Sequence, residues 1–541
     1  MENAVVAGLL LAISVVQSLA APDPQTPPNI LFMMADQMRA DALSCAGNAA
    51  IRTPNLDKLA AEGVRFANAF SSTPSCTPAR AAILTGLSPW YHGMLGYGVV
   101  ATRYPYELPR ALSSGGYFTC SIGKDHFGWN TTTNEGVPHG YHRTDLYDGL
   151  PKELDDYDQW FAEANPGVNP MATGLEYNDY RGRAYVLDEY YHPTAYVGRA
   201  AIEFLKTYDQ TRPFFLKVSF HRPHSPYDPP KVYMDQYDPT HMPDPYTGGN
   251  WDSRYAVNYN TTPDPGIWCG NISLDTLRVS RQAYYGNVGF IDSWVGEILT
   301  VLQEQGLADD TFVLFTADHG DMLGDHYHFR KTYPYFGSSH IPMMFKWPMS
   351  RRPHPPTGGD ISEPRGSVRE EVVELRDLFP TFLDIAGVPV AHTLNGSSLL
   401  NLLRASQPGH KLQNSISQQK QEGETWREYL DLEHSTCYNI TNHWNALTDG
   451  HTKYVFRAYF DDEQLFDLDS DPHEMTNLAG EPEWRSTLEQ WRGRMVEQFE
   501  REGRGPQWVA DRKLVRRTKG QLYSPNYPGS TRNPPPIPDT D

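Results

Sequence analysis

Short apolar runs alternate with longer amphipathic segments over residues 29–390, and this alternation limits the possible folds more than any other feature of the chain. Residues 29–34 are almost wholly apolar, which predicts a strand that is buried on both faces, as in a parallel sheet. The patterns over 195–208 and 277–305 predict amphipathic helices, and each leads into another short apolar run. Strands that alternate with helices indicate an α/β fold, and we expect a large mixed, mainly parallel sheet flanked by helices.

The pattern changes near residue 390, where short runs separated by polar turns replace the earlier alternation. These runs predict a smaller C-terminal domain that consists of an antiparallel sheet plus a helix. The predicted strands are 429–433, 443–448, 453–459 and 464–469, and the predicted helix is 481–502. The expected division of the chain is a signal peptide (1–20), a catalytic domain (21–390), a C-terminal α+β subdomain (391–504) and a proline-rich, basic tail (505–541).

The charge balance narrows the choice of partners. With 46 Lys and Arg against 66 Asp and Glu, the net charge is −20, which argues against nucleic acid as a partner. An anionic small substrate stays possible, because a local cluster of Lys, Arg and His can hold an anion within an acidic protein. The basic stretch 512–519 could contact a polyanionic glycan, although a solvated basic patch is the more ordinary interpretation.

The N-terminus predicts export. An apolar core over 4–16 is followed by small residues at 18–20, which is typical of a secretory signal peptide and too short to span a membrane. No later segment is long and apolar enough to span one, so we expect a secreted or lysosomal protein of the secretory pathway. Sequons for N-glycosylation, which indicate a glycoprotein, occur at Asn130, Asn260, Asn271, Asn395 and Asn439.

The chain has five cysteines, an odd number for an oxidising compartment. If Cys76 is the unpaired one, the other four could form up to two disulfides, with the pairing left open. These four are Cys45, Cys120, Cys269 and Cys437.

Polar residues follow the predicted strands directly, and in open α/β sheets ligands bind at that edge. Asp36 and Gln37 follow one strand, and Asp318 and His319 follow another. These mainly oxygen donors suit a hard cation such as Ca²⁺ or Mg²⁺ better than zinc. Either pair alone could instead cap a helix or pair with a neighbouring cation. Asp321, Asp325, His326 and His328 make a histidine-rich zinc site conceivable, but we expect them behind the ligands or at the surface.

Cationic residues also fall at the predicted strand ends. They are Lys124 and His126, then His221, Arg222 and His224, then Arg330 and Lys331. Each alone is more often a solvated surface residue. Together they could clamp a tetrahedral oxyanion such as sulfate or phosphate, because Lys supplies a point charge and His can donate a proton.

One motif resembles a known family. Cys76-Thr-Pro-Ala-Arg80, followed after three residues by Leu84-Thr85-Gly86, is similar to the sulfatase signature C-x-P-[S/A]-R-x-x-x-[L/M]-T-G. The stretch 465–479 also looks like a C-terminal segment of that family, a branch of the alkaline phosphatase superfamily. The resemblance spans residues 29–479 and implies an enzyme that hydrolyses the sulfate ester of an alcohol, sugar or aryl group.

The resemblance implies that Cys76 is a precursor rather than a thiol catalyst. A formylglycine-generating enzyme in the endoplasmic reticulum would oxidise it to formylglycine, an aldehyde, while the chain is unfolded. The hydrated aldehyde carries two hydroxyls: one attacks sulfur, and the other loses its proton and expels sulfate. The residue alone also permits a buried structural cysteine or a reactive thiol at a helix N-terminus, but the surrounding signature favours formylglycine.

The resemblance also implies a role for each site residue. It implies that the metal ion is bound by Asp36, Gln37, Asp318, His319 and modified Cys76. It implies that Arg80 stabilises the diol and that Lys124 and Lys331 bind the sulfate group. It also implies that His126 removes a proton and that His224 donates one to the leaving oxygen. The implied cation is Ca²⁺, with Mg²⁺ as the alternative. Gln37 and His319 stand where many relatives have Asp and Asn, and both variants occur in the family.

Two alternatives remain beside a sulfatase that acts on a sulfated small molecule or glycan. One is a phosphonate or phosphate monoester hydrolase of the same superfamily, whose substrates have a similar shape and a different charge. The other is a non-catalytic glycoprotein that binds sulfated glycans.

Overall fold

The computed structural model describes residues 27–130, 135–136, 138–149, 155–248, 253–348, 363–404 and 426–529. The predicted signal peptide, the side chain of Asn130 and the end of the predicted tail lie outside the described residues. Within the described ranges, no helix combines the length and the apolar character that crossing a membrane requires.

The strands and helices follow the predicted alternation. The strands are β1 (Asn29–Asp36), β2 (Val64–Phe66), β3 (Ala69–Phe70), β4 (Phe118–Gly123), β5 (Trp129–Asn130), β6 (Glu135–Gly136), β7 (Arg143–Leu146), β8 (Phe214–Pro223), β9 (Thr311–Ala317), β10 (Met343–Lys346), β11 (Ser367–Arg369), β12 (Val373–Glu374), β13 (Leu430–His434), β14 (Trp444–Thr448), β15 (Thr452–Arg457), β16 (Asp462–Asp467), β17 (Val509–Ala510) and β18 (Lys513–Leu514). The α-helices are α1 (Pro54–Ala61), α2 (Cys76–Thr85), α3 (Pro89–His92), α4 (Leu108–Ser114), α5 (Asp156–Ala164), α6 (Pro193–Thr207), α7 (Lys231–Met234), α8 (Leu274–Glu304), α9 (Phe336–Ser339), α10 (Leu378–Ala386) and α11 (Arg485–Arg501).

The main sheet has eight strands in the order β11-β2-β10-β9-β1-β8-β4-β7. Its central strands β9, β1, β8 and β4 are parallel to one another, whereas β10 runs antiparallel to both of its neighbours. Every residue of β1, β8 and β9 is buried, because helices cover both faces of a parallel sheet. The expected mixed, mainly parallel sheet with flanking helices is therefore confirmed.

The parallel central strands place their carboxyl ends side by side. In register, Ala35 of β1 lies opposite Ala317 of β9 and Phe220 of β8, and Gly123 of β4 lies opposite Ser219 of β8. The residues that follow these strands therefore emerge at one edge of the sheet. That edge is where an open α/β sheet binds its ligands.

The C-terminal region has the predicted antiparallel sheet, in the order β13-β14-β15-β16. Helix α11 packs on it through Leu488, Trp491, Met495 and Phe499, which share an apolar cluster with Tyr454. The segment after α11 continues over the protein: Tyr527 lies against Gly93, and the Leu95 amide donates to the Leu522 carbonyl.

Two local predictions are wrong. The sequence pattern over 369–386 predicts one helix, but β12 pairs with β3, a 3₁₀ turn follows over Leu375–Asp377, and α10 begins only at Leu378. Periodicity within the segment does not reveal the pairing with β3, a strand about 300 residues earlier in the chain. The two disulfides that were possible among four cysteines do not form either, since Cys45, Cys120 and Cys269 are free thiols.

Candidate active site

The site begins at the carboxyl ends of the central strands. Asp36 is the last residue of β1, Lys124 follows β4, and Asp318 follows β9. His224 comes one residue after β8, and its amide donates to the carbonyl of Asp36. All four side chains have no measurable exposure to solvent.

Cys76 is the first residue of α2, and its Sγ points to this edge. The preceding Ser75 is extended, and Pro78 falls in the first turn, where a missing N–H costs no helical hydrogen bond. Cys76 Sγ lies 3.1 Å from Lys331 Nζ and 3.2 Å from His319 Nε2. It also lies 3.7 Å from Asp36 Oδ1 and 3.9 Å from Lys124 Nζ.

Arg80 lies one turn along α2 and joins the two aspartates. Its Nη2 is 3.2 Å from Asp36 Oδ2 and 2.9 Å from Asp318 Oδ2. Nη1 donates to the Lys124 carbonyl at 2.5 Å and to Ser219 Oγ at 3.1 Å. The arginine of the signature therefore fixes the start of α2 against the ends of four strands of the sheet.

Four side chains around this point could hold a cation. One ligand atom from each of Asp36, Cys76, Asp318 and His319 lies within 4.8 Å of the other three. The His319 ring is oriented by its Nδ1, which lies 2.9 Å from the Gly320 carbonyl and leaves Nε2 towards the carboxylates.

Gln37 completes this set through its amide. Its backbone donates to Asp318 Oδ1 at 3.1 Å, and its Nε2 donates to Asp321 Oδ2 at 2.6 Å. Its Oε1 is buried and has no hydrogen-bond partner among the described residues. A buried amide oxygen normally has a partner, so this orphaned acceptor fits the role of a cation ligand.

The carboxylates and ammonium groups strongly perturb one another. Burial alone would raise the pKa of Asp36, but Lys124, His224, His319 and Lys331 together hold it well below its usual range. Burial raises the pKa of Cys76 to about 12, and Asp36 adds to this shift. The unmodified thiol is therefore protonated at neutral pH and is a poor nucleophile.

His224 and Lys331 form the wall opposite the aspartates. Lys331 Nζ lies 3.0 Å from His224 Nε2, and His224 Nδ1 lies 2.7 Å from the Ser225 carbonyl. Burial lowers the pKa of His224 well below its usual value, and the charges of Lys331 and Lys124 lower it further. The imidazole is neutral in this state, so Lys331 donates the hydrogen bond between them.

His126 sits in a turn after β4 with a left-handed backbone (φ 57°). The Asp148 carboxylate accepts the amides of Asp125 and His126 at 2.7 and 2.9 Å and so fixes this turn. The ring nitrogen Nε2 lies 3.2 Å from Tyr97 OH. Burial lowers the pKa of His126 well below its usual value, and the positive charge of Lys124 lowers it further.

The other predicted candidates lie elsewhere. Arg222 pairs with Asp228, and the Arg330 guanidinium donates to the backbone carbonyls of Asn178 and Gly266, so neither reaches Cys76. His326 and His328 are buried rather than at the surface, and within the described residues they belong to no metal cluster.

Two contacts of this site come from residues that we did not expect there. Asp148 fixes the His126 turn, and His434 of the C-terminal sheet lies 2.9 Å from Ser75 Oγ through Nε2. Ser75 and His434 are 359 residues apart, so no local pattern could have paired them.

Comparison with known proteins gives a consistent result. The family model Sulfatase matches residues 28–388, and the model of the N-sulphoglucosamine sulphohydrolase C-terminal region matches 324–501. An arylsulfatase of Clostridium perfringens is 36% identical over 505 residues, which cover 90% of this chain and 97% of that protein. A choline-sulfatase of Rhizobium meliloti is 28% identical over 84% of this chain and 83% of its own. Among solved structures, the phosphonate monoester hydrolase of Agrobacterium radiobacter has a TM-score of 0.70 at 26% identity, covering 88% of this chain and 96% of that one.

Proposed function

The chain belongs to the sulfatase family and hydrolyses sulfate esters, and we propose that its nucleophile is Cys76 after conversion to formylglycine. The observation that carries this proposal is the surrounding of Cys76 Sγ, which lies within 4 Å of Asp36, His319, Lys124 and Lys331. When formed, the aldehyde hydrate supplies two hydroxyls on one carbon, one for attack on sulfur and one for the later release of sulfate.

We propose that one divalent cation binds between Asp36, Gln37, Asp318 and His319. The orphaned Gln37 Oε1 supports this, as does the predominance of oxygen donors, which suits Ca²⁺ or else Mg²⁺. When bound, such an ion lowers the pKa of a hydroxyl beside it. Arg80 and Lys124 balance the two buried carboxylates on the side away from Gln37.

The cationic side chains would bind the sulfate group. Lys124 and Lys331 approach Cys76 Sγ and can neutralise the oxygens of a sulfuryl group that is attacked from this position. Burial alone would lower the pKa of Lys124, but the neighbouring Asp36 carboxylate outweighs it, so this ammonium group stays charged. Arg80 holds the start of α2 in place and so orients the nucleophile.

The two histidines would move protons. His224 Nε2 lies 3.0 Å from Lys331 Nζ, and the negative charge of a bound sulfate ester would raise the pKa of His224, so that the imidazolium can give its Nε2 proton to the leaving oxygen. His126 lies two residues beyond Lys124, and its Nδ1 is buried without a partner among the described residues. This free nitrogen suits a base that removes the proton of the second hydroxyl and starts the release of sulfate.

We propose that the substrate is an aryl, sugar or other alcohol sulfate. We also propose that the chain matures in the secretory pathway, where a formylglycine-generating enzyme acts on it, and that it is glycosylated. The Asn260 and Asn271 sequons are exposed and open to glycan addition. By contrast, Asn395 Oδ1 accepts a hydrogen bond from the Ser88 amide and is less accessible.

A phosphate or phosphonate monoesterase is the second candidate, and the similarity to the phosphonate monoester hydrolase favours it. The two candidates differ in substrate charge, so rates on aryl sulfate and aryl phosphate esters with the same leaving group separate them. A higher kcat/KM on the phosphate ester would overturn the preference for sulfate.

The formylglycine proposal is tested by mass spectrometry of the tryptic peptide that contains residue 76, from protein made in a host that has the modifying enzyme. We expect the mass of the aldehyde or its hydrate, with sulfatase activity in proportion to the modified fraction. Full activity in protein whose residue 76 is entirely unmodified cysteine would overturn it. Binding of sulfated glycans without turnover would point to the non-catalytic alternative.

A further inference from the structure

A cavity of about 270 Å³ lies between the C-terminal antiparallel sheet and the segment 507–521. None of the residues proposed for catalysis lines it. We propose that this cavity is a second anion-binding site, for a sulfate, phosphate or carboxylate group. Its ligand-binding groups are Ser435, Trp508 and Arg517.

Three residues that line the cavity each carry a buried hydrogen-bond donor that has no partner among the described residues. These donors are Ser435 Oγ, Trp508 Nε1 and Arg517 Nη1. Ser435 and Trp508 are each only 5% or less exposed. Buried donors normally find acceptors, and three orphans around one cavity indicate an acceptor-rich ligand.

The charge around the cavity favours an anion. Arg517 forms no ion pair with any carboxylate in the described ranges, and Glu433, which also lines the cavity, already receives two hydrogen bonds from Arg504. Arg516 and Lys519, on the same segment, also line the cavity. Burial lowers the pKa of Arg517 to about 9, with Arg504 adding to the shift, as expected for a cation that lacks a counter-charge.

The Arg517 guanidinium is already held in position. It lies 3.9 Å from the centroid of the Trp508 ring, and its Nη2 donates to Asn445 Oδ1. Its Nη1 is buried without a partner among the described residues and can bind a ligand. Binding at a preorganised donor loses little side-chain entropy, which favours affinity.

The size of the cavity suits an anionic group together with some water. At about 30 Å³ for each liquid water molecule, its volume equals that of roughly nine waters. The anion could come from two sources: free inorganic sulfate, or a second acidic group on a polyanionic substrate. The cavity also reaches the catalytic centre indirectly, because His434 lines it and contacts Ser75, the residue before Cys76.

The test uses selenate, a tetrahedral oxyanion with an anomalous X-ray signal, together with calorimetry in solution. We expect an anomalous peak in the cavity, within hydrogen-bond distance of Arg517 Nη1 and Trp508 Nε1. Arg517→Met keeps the packing on Trp508. It should remove this peak and weaken binding there at least about tenfold, while selenate at the catalytic centre is unchanged. Arg512→Met is the matched control, because Arg512 is an exposed cation of the same segment that pairs with Glu497 and Glu500.

Trp508→Phe is a second variant in case Arg517→Met folds poorly. It removes one donor, keeps an aromatic ring, and should also weaken the peak in the cavity. A cavity that holds only water in the selenate-soaked crystal, or a selenate peak that Arg517→Met leaves unchanged, would overturn the proposal.

Kinetics then distinguish the two sources. If the anion belongs to the substrate, Arg517→Met raises KM for a disulfated sugar about tenfold and leaves that for a monosulfated aryl ester unchanged. If it is a free anion, added sulfate raises the melting temperature of the wild type more than that of Arg517→Met. Neither result requires the assignment of the nucleophile to be right, and the absence of both would contradict an anion site.

Discussion

The side chain of Gln37 donates its Nε2–H to Asp321 Oδ2 at 2.6 Å, and this bond decides which end of the amide faces the proposed metal site. Asp321 can only accept while it is ionised, so Gln37 must turn its nitrogen towards Asp321 and its oxygen away. The other bonds of Asp321, from Tyr227 OH and from the amides of Leu323 and Arg330, hold the carboxylate itself in place.

Asp321→Asn should therefore weaken metal binding. The new amide would keep its oxygen towards the two backbone donors and present its NH₂ to Gln37, which would then turn its own NH₂ towards the cation. We expect Ca²⁺ affinity to fall by about 10–100-fold, measured by calorimetry on chelator-treated protein. Tyr227→Phe removes one bond to the same carboxylate without adding a donor, and an equal loss in this control would contradict the amide-flip argument.

Lys331→Met should reduce turnover far more than substrate binding. It removes the ammonium group 3.1 Å from Cys76 Sγ, where charge would develop on the sulfuryl oxygens in the proposed reaction. Loss of one such contact typically lowers kcat about 10²–10³-fold, or about 2.7–4 kcal/mol, and steady-state kinetics on an aryl sulfate measure it. The control is Lys346→Met, at a half-buried lysine that pairs with Glu62. Its kcat should stay near that of the wild type. A loss below about fivefold for Lys331→Met would remove this residue from the proposed sulfate clamp.

His224→Gln should slow poor leaving groups selectively. If His224 gives its proton to the leaving oxygen, the loss should reach about 10²–10⁴-fold for an alkyl sulfate and be much smaller for a nitrophenyl sulfate, whose leaving group needs little protonation. The measurement is kcat/KM across a series of leaving-group pKa values. His221→Gln is the control, since that ring lies 4.9 Å from the His224 ring and contacts Tyr177. Equal losses across the series would contradict the role of His224 as the acid.

Asp155 predicts a loss of stability as the pH rises from about 4 to about 8. Burial raises its pKa from 3.8 to about 8, and Asp158 adds to the shift, so the folded state binds this proton more tightly than the unfolded state. The stability that this proton confers is complete below about pH 4 and disappears as the pH rises through about 8. Asp155→Asn, which mimics the neutral acid, should flatten the fall in melting temperature over this range.

The exposed Asp235 provides the control for that measurement, because it pairs with Lys231 at the surface. Asp235→Asn should show the same pH dependence as the wild type. A wild-type melting temperature that rises steadily from pH 4 to pH 8, with no difference in Asp155→Asn, would contradict the assignment.

The sequence predicts the sheet and most of the candidate site because both depend on local patterns. A buried strand that ends in Asp36 and another that is followed by Asp318 place two carboxylates at one edge, whatever the rest of the chain does.

Contacts between segments that are distant in the sequence cannot be predicted from local patterns. The bond between Ser75 and His434, the hold of Asp148 on the His126 turn, and the burial of Arg517 against Trp508 depend on how segments pack. The basic stretch 512–519 looks like a solvated patch in the sequence, yet one of its cations is largely enclosed. Composition shows which charges exist and leaves open which of them the fold covers.

Cys76 has no exposure to solvent, and Arg80 and Lys124 enclose it from within the sheet edge. Under the proposed conversion to formylglycine, a second protein cannot reach that side chain once the chain has folded, so the modification of each molecule would be decided once, during its synthesis. A purified population would then be a fixed mixture of modified and unmodified molecules, and the host that makes the protein, more than later treatment, would set its specific activity.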